Sequence, residues 1–237
     1  MEETKLDEIL FLDIETVPAY KDFAALPDKW KQLWAVKASH LARHKETPEE
    51  LYHRAGIYAE FGKVICISVG FFDMREGRMF RIKSFGGDDE KEVLTEFGKL
   101  LEKHFNQRKH RLAAHNGKEF DFPFLGRRML VNNVKLPKLL NLQGLKSWEV
   151  KHVDTMELWK FGDMKSFTSL DLMTTLFDIP SPKIDLDGSK IYEVYYKHHD
   201  MPSIITYCQN DVLALAQLYL RLKGKELLTD DEVMLVG

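Results

Sequence analysis

Extended and helical periodicities succeed one another in this sequence in an order that few folds accept. Residues 8–14, EILFLDI, form a short apolar run ending in a carboxylate, and 63–72, KVICISVGFF, are rich in β-branched and aromatic residues. Both predict strands. MFRIKSF at 79–85 alternates apolar and basic positions and follows across DMREG, where Gly77 suits a hairpin connection. Asp88 and Asp89 stand in N-cap position ahead of Val93, Leu94, Phe97, Leu100, Leu101 and Phe105, which draw one helical stripe. RLAAH at 111–115 predicts a further strand, turning at Asn116 and Gly117 into the helical run FDFPFLGRRMLV. VKHVD at 150–154 predicts another, ahead of the amphipathic SFTSLDLMTTLFD. Helical stretches at 189–199 and 203–222 close the pattern, the second just after Pro202. Three strands, then helix, strand, helix, strand and more helices describe a three-layer α/β domain with a mixed central sheet and helices on both faces.

One stretch stands outside that scheme. Residues 17–62 separate the first two strands and hold Pro18, Pro27, Pro48 and two tryptophans. WKQLWAVKASHLARH and PEELYHRAGIYAEF carry helical spacing, so a small helical insertion is expected. A length of 237 residues then reads as a single domain, 1–237, with that insertion. Hydrophobic residues at 44% and charged residues at 30% fit a chain that buries a sizeable core and exclude intrinsic disorder. No apolar run reaches the roughly 18 residues a membrane helix needs, and the acidic start MEETKLDE is unlike a secretory signal. A cytoplasmic protein with no membrane partner is expected. Cys66 and Cys208, 142 positions apart, suggest buried free thiols and no zinc or disulfide framework. The net charge of -3 excludes a strongly basic nucleic-acid coat and leaves room for contact with a few phosphates.

Three short patterns carry chemistry. Asp13-Ile14-Glu15 ends the first strand with two acids at i and i+2, hence on one side of the sheet. Such a pair is either a solvated strand end or a costly like-charge pair neutralised by a divalent cation, for which oxygen ligands suit magnesium or manganese. Asp121 stands alone among Phe120, Phe122, Phe124 and Leu125 at the start of a helix. It is either a functional acid or one that favours the helix N-terminus. Tyr207 and Asp211, at i and i+4, share a helix face as a functional pair or a surface hydrogen-bonding pair.

FLDIET, NGKEFDFPFL and YCQND, in this order, resemble the three motifs of the DEDD superfamily of 3′ to 5′ exonucleases, over about residues 8–222. The resemblance implies a ribonuclease H-like fold, and Tyr207, four before Asp211, marks the DEDDy branch. Threonine stands at 206, where the sister branch has histidine. The insertion after DIET, EFGKVICISVG and SPKIDLDG most resemble stand-alone bacterial exonucleases similar to the proofreading domain of family B DNA polymerases. With the chain ending at Gly237, no polymerase module is expected.

This resemblance makes Asp13, Glu15, Asp121 and Asp211 catalytic carboxylates that hold two Mg2+ or Mn2+ ions, with Tyr207 orienting the attacking water. Its implied substrate is the 3′ end of DNA, single-stranded by preference; an RNA-trimming exoribonuclease and a catalytically silent nucleic-acid-binding domain are the alternatives. Thr16, with Glu15, is where the family takes the terminal 3′ hydroxyl. Phe120 and Phe124 are candidate stacking surfaces or core residues. Asn116 is either a substrate contact or a turn residue, and Lys183 is a further candidate contact. Residues 127–151 hold six Lys/Arg against Glu149, a local +5 and the best candidate for phosphate contact. Asp154 reads as a helix cap ahead of Met156, and His115 as structural.

Overall fold

A computed structural model describes residues 4–75, 77–163, 167–180 and 188–236. Among these residues the strands are β1 (Ile9–Pro18), β2 (Gly62–Asp73), β3 (Met79–Gly86), β4 (Arg111–Ala114), β5 (Val153–Asp154) and β6 (Val233–Leu235). They form one mixed sheet in the order β5-β4-β1-β2-β3-β6. β2 runs antiparallel to both β1 and β3, while β4 lies parallel to β1, β5 to β4 and β6 to β3. The helices are α1 (Asp28–Leu41), α2 (Glu90–His104), α3 (Asp121–Val131), α4 (Thr155–Lys160), α5 (Leu170–Leu176), α6 (Ile191–Glu193) and α7 (Met201–Leu222). None is long and apolar enough to cross a membrane.

The alternation of β1 sets the layers. Leu10, Leu12 and Ile14 pack with Val93, Leu94, Phe97 and Leu101 of α2 and with Phe122, Leu125 and Met129 of α3. Ile9 and Phe11 turn to the other face and meet Val212, Leu215, Ala216 and Tyr219 of α7. Both faces of β1 are covered by helices, and this is why the strand reads as an apolar run.

Several elements depart from expectation. β1 runs on to Pro18, so the insertion starts later than the sequence suggests. Within it α1 forms, but the second helical stretch folds as a 3-10 helix, Tyr52–Ile57. Trp34, Tyr52, Leu26, Ala38, Leu51 and Ala55 give this region a small core of its own, and the Trp34 Nε1 donates to the Pro48 carbonyl at 2.7 Å. The helix expected over 189–199 is broken into a 3-10 turn, α6 and a π-helical turn, Val194–His198. Asp89 caps α2 by accepting from the Lys91 and Glu92 amides, whereas Asp88 accepts from the Tyr195 hydroxyl.

A buried ion pair ties the α2–α3 layer to β2. The Arg128 guanidinium donates to Glu90 through Nε at 2.8 Å and Nη2 at 2.6 Å, and through Nη1 to the Ala59 carbonyl. Glu90 also accepts from the Val64 amide at 2.8 Å. Arg128 is therefore engaged inside the protein, which corrects its place among the candidate phosphate contacts. Removing one partner strands the other charge in the core. Glu90→Ala and Arg128→Ala should each lose about 3–5 kcal/mol in urea unfolding, and the Glu90→Leu/Arg128→Met double variant much less.

Candidate active site

The site starts where β1 outruns β4. β4 pairs only with Ile9, Phe11 and the residue between them, so among the described strands Asp13 and Glu15 have β2 on one side and no strand on the other. They continue the Ile9–Phe11 side of the strand, toward α7. The β1–β2 register shifts between Glu15 and Thr16, an irregularity of the kind that bends a strand and re-aims its side chains. From α7 the Cys208 thiol donates to Asp13 Oδ2 and to its backbone carbonyl, both at 3.4 Å. Candidate ligand atoms of Asp13, Glu15 and Cys208 lie within 4.8 Å of one another.

Asp121 comes from the junction of β4 and α3. The turn between them places Asn116 at φ 63°, a left-handed conformation that asparagine tolerates. Asp154, at the end of β5, accepts from the Asn116, Lys118 and Met156 amides, so it ties down this turn as well as capping α4. Gly117 is needed for close approach: a Cβ there would stand 2.4 Å from the Ala114 Cβ and 2.9 Å from the Phe122 ring. Gly117→Ala should destabilise the protein by about 1–3 kcal/mol through this overpacking. It should also move the start of α3, and with it Asp121; thermal unfolding reads the loss of stability.

α7 supplies Tyr207 and Asp211, one turn apart on one helix face, and each influences the other's titration. Electrostatics shows how close the three motifs come. Asp13 is held well above the ordinary carboxylate range by burial first, then by the charges of Glu15, Asp211 and Asp121. Glu15 is raised by burial and by Asp211, Cys66 and Asp121. Burial is also the largest cause for Asp121, pushed up to about 7, and for Asp211, pushed up to about 6. Burial and the charge of Asp211 push the Tyr207 phenol upward, so it stays protonated at neutral pH.

The other expected site residues are distributed unevenly. Thr16 is half-buried on β1 beside Glu15, and Phe120 is half-buried at the start of α3. Phe124 is 2% exposed and packs in the α2–α3 core, so it has no free face for a base and its place as a stacking surface is withdrawn. The Asn116 Oδ1 is buried without a hydrogen-bond partner. His115 bridges Thr155 Oγ1 at 2.9 Å and the Thr168 carbonyl at 2.7 Å, a structural role. Lys183 lies outside the described residues. Sequence reasoning missed the contact of Cys208 with Asp13; its spacing of three from Asp211, on the same helix face, was the available signal.

The sheet order, the helices on both faces and the acidic centre beyond β4 define an α/β domain of the ribonuclease H-like class. The family B DNA polymerase from the hyperthermophilic archaeon Pyrobaculum calidifontis shares this fold, with a TM-score of 0.51 and 16% identity. The likeness covers 90% of this chain and 24% of the polymerase, so the chain corresponds to about a quarter of that protein. No curated protein matches the chain. The profile of a family described as "Predicted 3'-5' exonuclease related to the exonuclease domain of PolB" matches residues 57–232, and the chain belongs to that family. The matched segment holds Asp121, Tyr207 and Asp211; Asp13 and Glu15 precede it, on β1.

Proposed function

We propose that this protein is a metal-dependent 3′ to 5′ exonuclease that removes nucleotides from the 3′ end of DNA, single strands being preferred. The observation that carries this reading is the pair Asp13 and Glu15, whose ligand atoms lie within 4.8 Å of one another on β1, with the charges of Asp121 and Asp211 near enough to push both upward. Four mutually repelling acids without a neighbouring Lys or Arg among the causes of their shifts form a donor set in want of cations, and carboxylate oxygens fit Mg2+ or Mn2+. Bound there, such ions supply neutralisation of the acids, a water of lowered pKa and stabilisation of charge on the phosphate.

The protein's own residues do the rest. Asp13, Glu15, Asp121 and Asp211 hold the ions. The Tyr207 hydroxyl orients the attacking water and does not take its proton, because the phenol is pushed above its ordinary pKa of 10.0. Glu15 and the backbone at Thr16 take the terminal 3′ hydroxyl. Asn116, half-buried in the turn ahead of α3, is the second motif's substrate contact in this reading. Phe120, half-buried where Phe124 is not, keeps ring surface for a terminal base.

The test is a 5′-labelled DNA oligonucleotide in Mg2+ or Mn2+, beside an RNA of the same sequence. A ladder that shortens one nucleotide at a time from a free 3′ hydroxyl is expected, faster on DNA and blocked by a 3′ phosphate. Internal cuts in a circular single strand, or turnover undiminished by a chelator, would sink the reading. Tyr207→Phe should keep metal affinity in calorimetry and lose about 10²-fold in rate, the low end for a group that orients a proton transfer without making it.

A further inference from the structure

The basic stretch 127–151 divides in two. Arg128 and Lys135 are paired with Glu90 and Glu102. Lys138 and Lys151 have no acidic partner among the described residues, and with Arg108 and Arg111 they line an open cleft of about 500 Å³. Its wall is built: the Arg111 Nη1 donates to the Arg108 and His110 carbonyls, each at 2.7 Å. The cleft has one acid, Glu149, whose carboxylate accepts from the Lys146 amide. Next to Glu149 the Trp148 ring is 75% exposed, with Lys146 Nζ 5.1 Å from its centroid, and Leu145 at the cleft edge is 49% exposed.

We infer that this cleft and Trp148 form a second contact surface for single-stranded nucleic acid, away from the carboxylates. Four cations against one acid suit a phosphate backbone, and an exposed indole beside them suits sequence-tolerant base stacking. The surface is separate from the acidic centre because Arg111 opens β4 and the catalytic turn follows its other end. The strand alone separates them by about 10 Å at roughly 3.3 Å per residue. The inference rests on the reading of the chain as an enzyme of single strands, and it adds where the strand runs beyond its 3′ end.

Fluorescence anisotropy of the full chain in a chelator, with labelled oligothymidylates of about 4 and about 20 nucleotides, tests it. The longer strand should bind more tightly. Trp148→Ala should weaken that binding about 10-fold, the scale of one lost stacked base. The Arg108→Gln/Lys138→Gln/Lys151→Gln variant should make the slope of log affinity against log salt shallower by about 2, since each contact on a single strand contributes about 0.7. Both variants should bind and hydrolyse the short strand as the unaltered protein does. Unchanged affinity and salt slope on the long strand would overturn the inference, and so would equal losses on both lengths. Failure of the unaltered protein to hydrolyse the short strand in Mg2+ would instead count against the exonuclease reading, and anisotropy would still report on the cleft.

Discussion

Asp13→Asn should lower hydrolysis by at least about 10³-fold, the scale on which removal of a preorganised charge partner at a reacting group is felt. Asparagine keeps the shape of the side chain and its hydrogen bond from Cys208, so the fold should survive. Asp211→Asn should behave alike, with the added loss of the charge that faces the Tyr207 phenol. Both changes relieve repulsion inside the acid cluster, so thermal stability without metal should hold or rise while metal affinity falls. Rates and unfolding temperatures measured together decide the point. Near-normal turnover in Mg2+ by either variant would remove these acids from the catalytic centre.

The metal-free protein should lose stability as pH rises toward about 7, most plainly from about 6 to 7. Asp13, Glu15, Asp121 and Asp211 hold protons in the folded state that the unfolded chain releases near pH 4. Their contribution is full below the ordinary carboxylate pKa and disappears as pH passes through their folded values, about 6 for Asp211 and about 7 for Asp121. Each proton so held gives a slope of about 1.4 kcal/mol per pH unit. His152, lowered to about 4 by burial, and His115 and His110, also lowered by burial, act with the opposite sign below pH 6.5 and offset part of the fall at the foot of this window. Glu232, lowered to about 2 by Arg78, matters only in acid. Saturating Mn2+ should flatten the profile, and Asp121→Asn should reduce its slope in a chelator. A metal-free unfolding temperature that is flat or rising across the window would contradict the acid cluster.

The parts legible in the sequence are those whose signal is local. β1 to β4, α2, α3 and α7 each show a periodicity longer than one turn or a few strand residues, and the acids stand at the ends of such elements. What stayed hidden depends on partners far along the chain. VKHVD has an extended pattern, but only Val153–Asp154 pairs with β4, because the His152 ring, and not backbone, meets the Leu112 amide at 3.2 Å. β6 is three residues long, too short for a period, and is held in place by the bidentate pair of Arg78 with Glu232. A run of basic residues does not reveal that Arg128 meets Glu90, 38 positions earlier. Nor does a helix with Phe120 and Phe124 four apart reveal which ring the core takes.

β1 is the first strand of the sheet in sequence and lies near its middle, between β2 and β4. A chain growing from its N-terminus therefore makes its most apolar strand long before either neighbour exists. One edge waits for Gly62–Asp73 and the other for Arg111–Ala114, with the whole insertion emerging in between. Until then EILFLDI is a bare template for pairing with another chain. The acidic pair at its end gives that segment a charge which discourages such pairing, so the two acids proposed as metal ligands in the finished protein also guard the strand while it is being made.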